Sequence, residues 1–127
     1  MAAATDYAEE KIVKHIVGNT SWTMPTGSYL AIHTADPGET GSSSEASGGS
    51  YARQSITWTY NSGSARMENS ASLAFGPMVG ATYTHFSVKD ASSGGNTLFK
   101  GSLTTPRTLS TGQSLVVAVA ALQLTAD

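Results

Sequence analysis

The sequence predicts a mainly β protein, an antiparallel β-sandwich or barrel-like domain with one N-terminal α-helix. Three observations carry this. Charged residues make up only 13% of the chain, about half the usual share, and Ser, Thr, Gly and Ala fill the difference. Apolar residues recur at every second position through most of the chain, and short Gly-, Ser-, Asn- and Pro-rich turns separate those runs. A single segment has the 3.6-residue period of a helix. The length fits one domain, 1–127, with the helix at about 5–18, a long loop at about 35–50 and a β domain at about 28–125.

Thr5 is a good N-cap, and Asp6, Glu9 and Glu10 follow where acidic side chains suit the helix dipole. Ala8, Ile12, Val13, Ile16 and Val17 then recur at helical spacing, and Gly18-Asn19 supplies a stop. This amphipathic helix needs an apolar surface, on its own sheet or on a neighbouring subunit. In "SYLAIHT" (28–34), Leu30 and Ile32 face one way and Tyr29, Ala31 and His33 the other. "ARQSITWTY" (52–60) reads as one strand with Ala52, Ile56, Trp58 and Tyr60 on a single side. Ala71, Leu73 and Phe75 alternate up to Gly76-Pro77. "TYTHFSVKD" (82–90) sets Phe86 and Val88 against Tyr83 and His85, and "ASSGGN" turns the chain into "TLFKGSL" (97–103). Thr104-Thr105-Pro106 should break that strand. The last strand, 114–124, is apolar on both faces, as if covered by a second layer or by another chain. Six or seven strands result.

Several function classes are set aside by composition. The formal net charge is −2 and no Lys/Arg cluster exists, so nucleic acid is not an expected partner. There is no cysteine, hence no disulfide and no thiolate chemistry. The first residues show neither region of a secretory signal. The longest apolar run, 115–124, falls short of the roughly 20 residues that span a bilayer, so no membrane partner is expected.

The histidines His15, His33 and His85 lack metal-ligand spacing, and His33 and His85 could share a sheet face as structural residues. A metal-assisted hydrolase built on His33, His85 and Asp36 is the enzymatic alternative. Asp36, Glu39 and Glu45 do not follow a calcium-loop pattern, and Asp36 before Pro37-Gly38 reads as a turn former. No Gly-x-Ser-x-Gly elbow, carboxylate pair or phosphate loop stands out. The prediction is no catalytic residue, no metal site, no cofactor and no enzyme.

Three blocks are then informative. "YLAIHTADPGETGSSSEASGGSYARQSITW" (29–58) resembles a segment of small structural proteins of tailed bacteriophages, with a Thr-Ala-Asp-Pro strand end and a Gly-Gly-x-Tyr-Ala-Arg re-entry. "THFSVKDASSGGNTLFKGSLTTPRTLSTGQSL" (84–115) is similar to that family's later signature, and "YAEEKIVKHIVGNTSW" (7–22) to its opening. The resemblance implies a virion component with no catalytic residues. Such proteins are commonly labelled tail-fibre-like, and β-rich phage proteins of this size also serve as capsid decoration.

The expected function is a capsid decoration (cement) protein that stabilises the head by binding where major capsid subunits meet. It would be a homo-oligomer, such as a trimer, on the virion's capsid surface, made in the host cytoplasm. The alternative is a tail-fibre or tail-tip accessory protein contacting the host, with Trp22 or Tyr29 as a platform for a receptor glycan. The long loop would be an arm ordering against a neighbour through Asp36, Pro37, Glu39 and Glu45, its return anchored by Tyr51 and Arg53. Arg53→Ala should then weaken assembly without lowering the melting temperature of the isolated subunit. Ile12, Ile16, Val116, Val119 and Leu122 are the expected oligomer contacts.

Overall fold

A computed structural model describes residues 2–125. Strands take up 40% and helix 9%, the sheets are antiparallel, and no barrel closes. The elements run β1 (Ala2–Ala4), α1 (Asp6–Ile16), β2 (Tyr29–His33), β3 (Gln54–Ser55), β4 (Trp58–Asn61) and β5 (Arg66–Asn69). They continue as β6 (Leu73–Phe75), β7 (Ala81–Lys89), β8 (Thr97–Leu109), β9 (Leu115–Val117) and β10 (Gln123–Leu124). A five-stranded sheet has the order β1-β8-β7-β2-β3, a three-stranded sheet β10-β5-β4, and β6 pairs with β9. All three contribute to one apolar cluster, with Leu30, Ile32, Phe75 and Leu115 each at most 1% exposed. Burying each such side chain stabilises the fold by about 1.5–3 kcal/mol before entropy is counted.

The helix begins as expected. Thr5 is extended (φ −86°, ψ 164°) and its hydroxyl oxygen accepts from the Ala8 N–H. The same hydroxyl donates to the Thr97 carbonyl, which ties the cap to β8. After Ile16 the chain turns at Gly18, whose φ is +74°. Only Ala8 is buried along α1.

Four strand readings need correction. Residues 52–60 are two strands in different sheets, because the chain crosses over at Ile56–Thr57. Ile56 is buried and the Trp58 indole N–H donates to Ser28 Oγ at 2.7 Å, but Ala52 and Tyr60 are exposed. Residues 114–124 are also two strands, β9 and β10, split by a turn in which Ala120 has φ +61°. Strand β8 passes through Pro106 to Leu109. The proline is accommodated because residues 103–106 leave the ladder: Tyr83 pairs with Arg107 and His85 with Ser102, so four residues oppose Thr84 alone. That bulge also re-aims Tyr83, which enters the core beside Phe86 instead of opposing it.

Strand β5 is one that hydrophobic periodicity cannot reveal, because its buried side chains are polar. Asn69, fully buried, donates to the carbonyls of Ala71 and Ala118, each at 2.9 Å, and accepts from the Leu122 N–H at 2.9 Å. Glu68 accepts from Arg66 and Asn61. These polar pairs, more than apolar burial, join β5 to the turn before β10.

Candidate functional site

Strand β2 is buried on both faces, and the long loop is the reason. Leu30 and Ile32 point into the core. The opposite face of the five-stranded sheet carries Ala31 and His33, with Ser87, Lys89, Thr97 and Lys100 as neighbours in register. Residues 36–43 lie over that face, and residues 44–46 pair along the β2 edge. The Ala46 N–H donates to the Ile32 carbonyl, and the Thr34 N–H to that of Ser44. Gly41 makes the closest approach. Its carbonyl accepts from Lys89 Nζ at 2.8 Å, and a Cβ built there would lie 2.2 Å from Thr97 Cγ2. At φ +69° the position suits glycine twice over.

The return of the loop is held by an ion pair. Arg53 Nε and Nη2 each donate at 2.8 Å to the two carboxylate oxygens of Glu45, and Tyr51 Oη donates to Glu45 at 2.8 Å. Arg53 Nη1 continues to the carbonyls of Ala91 and Gly94, tying the β7–β8 turn to the loop. The Tyr51 ring stacks on Phe75, with centroids 6.0 Å apart, so one side chain touches both the core and the ion pair. Burial works to raise the Glu45 carboxyl, and hydrogen bonds from Arg53 and Tyr51 outweigh it, leaving Glu45 below its usual range. Burial pushes the Tyr51 phenol up and, together with the Arg53 charge, lowers the Lys89 ammonium.

His33 is the second anchor. Its Nδ1 lies 2.7 Å from the Ser43 carbonyl and therefore carries the proton, while Nε2 accepts from the Ser87 hydroxyl at 2.8 Å. Burial holds the imidazole below its ordinary pKa. The Ser87–His33 distance matches a nucleophile and its base, but both residues are 0% exposed and a carbonyl stands where an orienting carboxylate would be needed. His33 and His85 are cross-strand partners, as their shared alternation suggests. Among the described residues, no group of three or more His, Cys, Asp or Glu could hold a metal ion.

The expected site residues therefore divide. Glu45, Tyr51 and Arg53 come together, but in the same protomer. Asp36 and Glu39 are exposed at the loop tip, both on Lys100 Nζ at 3.4 and 3.0 Å, and Pro37 is buried beneath them. The anchors Glu45, Tyr51 and Arg53 are met within the chain's own fold, while the Asp36 and Glu39 side chains at the tip stay 64% and 63% exposed. Leu122 is 4% exposed and belongs to the core, so it leaves the set of oligomer contacts. Ile16, Val116 and Val119 are exposed, and Ile12 is half-buried. Trp22 is half-buried and edge-on to Tyr7, and Tyr29 is half-buried, so neither presents an open platform. Sequence reasoning missed Lys89 and Gly41; a basic residue closing a strand and a glycine amid serines send no distinctive signal.

The more prominent free surface is apolar. Val13, Ile16 and Val17 on and just after α1 are 61%, 75% and 71% exposed, and Met24 is 82% exposed. The helix is fastened to the sheet through its first turn, by Thr5 and Ala8; Ile12 is half-buried, and Val13, Ile16 and Val17 face outward.

A β body that covers its polar face with its own loop, yet leaves an apolar helix face uncovered, has the character of an assembly component. Comparison with models of protein families places the chain in this class: residues 3–125 match a structural protein of the bacteriophage virion. The matching family is Gp80, described as podophage GP4 fiber I protein gp80, and the chain belongs to it. No curated protein matches the chain.

Proposed function

We propose that the protein is a non-enzymatic fibre component of the virion that assembles through its N-terminal helix. The exposed Val13, Ile16, Val17 and Met24 carry this reading. They fall within twelve consecutive residues, and an apolar patch of that kind marks a surface that a partner covers. The partner is a second copy of the chain or a neighbouring fibre protein.

The family description supports the fibre over head decoration, whereas the apolar surface alone would serve either. Gold-labelled antibody on intact virions, combined with the copy number per particle, tests the choice. Label at the tail with a low copy number supports a fibre. Label spread evenly over the head, at a copy number matching the capsid lattice, would overturn it in favour of decoration.

A further inference from the structure

Most cations of the described chain are accounted for. Lys14, Arg53, Arg66 and Lys100 pair with carboxylates, Lys11 sits over the Tyr7 ring, and Lys89 is held by oxygens of Gly41 and Thr97. Arg107 differs. Its one hydrogen bond among the described residues is a long one, 3.3 Å from Nη2 to the Val116 carbonyl, and most of its five donors are unused. It stands on the rim of a cleft of about 260 Å³ between β8 and the β9–β10 segment.

Two backbone irregularities border this cleft. On one side β8 arches out of its ladder over residues 103–106. On the other, the chain turns between β9 and β10 with Ala120 at φ +61°. The floor is apolar, with Leu30, Phe86, Leu115 and Leu122. The rim is mixed: Ser102, Thr104, Thr105, Arg107 and Gln123 supply polar groups, beside exposed Val116, Ala118 and Ala121. The volume lies just below the usual range of about 300–1,000 Å³ for small-molecule sites, enough for one ring.

We propose that this cleft binds one acidic monosaccharide unit of the hexuronate class. The guanidinium fork takes the carboxylate. The hydroxyl and amide rim exchanges hydrogen bonds with the ring hydroxyls, and the aliphatic floor receives the C–H face of the ring. A neutral sugar would leave Arg107 unanswered, and a purely apolar acid would leave the rim without partners. The proposal concerns the cleft alone and does not depend on where in the virion the protein sits.

The test is an NMR titration of the isotope-labelled full chain with sodium glucuronate. Saturable shifts confined to residues 102–107 and 115–123, with millimolar affinity weakened at least about tenfold in Arg107→Gln, are expected. Because Arg107 is exposed, Arg107→Gln should melt with the parent; Thr105→Val, also on the rim, gives a second variant expected to weaken binding. Absence of saturable shifts up to about 50 mM overturns the proposal, as does unchanged affinity in both variants. Equal binding of glucose would remove the role of the carboxylate, and equal binding of cyclohexanecarboxylate that of the hydroxyls; either result overturns the sugar assignment.

Discussion

Glu45 and Arg53, eight residues apart, meet as a two-pronged ion pair, and the Arg53 side chain is only 11% exposed. This one contact joins the end of the long loop to the strand that follows it, and through Ala91 and Gly94 to the far end of the sheet.

Arg53→Ala should therefore lower the stability of the isolated protomer, by about 1–3 kcal/mol, because it leaves the Glu45 carboxylate half-buried without its main partner. At this chain length that is a fall of about 4 °C in melting temperature for each kcal/mol. Arg53→Lys should recover only part of it, since a point charge cannot span both oxygens. An unchanged melting temperature would restore the view that Arg53 serves a neighbour.

Stability should fall with acid in two stages. His33 is held neutral, below its usual 6.5, so the unfolded chain binds its proton first and stability declines as the pH drops beneath about 6.5. Glu45 is held below 4.5, so a second decline sets in as the pH falls beneath about that value. Both shifts act in the same direction. Melting temperatures from pH 8 to 4 should show the first stage disappear in His33→Gln and persist in His15→Gln.

Gly41→Ala should loosen the loop. The new Cβ would meet Thr97 and also force an L residue to φ +69°, whereas Gly38→Ala, at φ +78° but with nothing within 4 Å, carries the backbone strain alone. Limited proteolysis within residues 35–50 should therefore be faster in Gly41→Ala than in Gly38→Ala. Equal rates would mean that close packing against Thr97 does not hold the loop.

Ile16→Ser with Val17→Ser should leave the stability of the dilute protomer within about 0.5 kcal/mol of the parent, since both residues are exposed. Association measured by sedimentation should fall sharply. Association equal to the parent's would remove α1 from the assembly surface.

Asn69→Ala should cost about 2–4 kcal/mol, because the Ala118 carbonyl and the Leu122 N–H lose their partner in a buried setting. Denaturant unfolding measures it, with Asn61→Ala, whose amide donates to Glu68 nearer the surface, as the milder comparison. A loss no greater than that of Asn61→Ala would show that Asn69 does not hold the β9–β10 turn.

What the sequence determined by itself is local. The helix was legible because Thr5, the acidic first turn and Gly18 act within a few residues of one another. The mainly β class was legible because alternation in 28–34 and 71–75 reports a face within a single strand. The family blocks were legible as well, since they depend on order along the chain. Tertiary structure decided the rest. Whether 52–60 and 114–124 are one strand or two depends on which sheet offers backbone partners at each end. The direction of Tyr83 depends on a bulge created by its neighbour β8. Whether the loop reaches outward or folds home depends on Glu45 finding Arg53, and Gly41 finding Lys89 and Thr97, across the fold. Such pairings are satisfied only when distant segments desolvate together, and no period in the sequence records them.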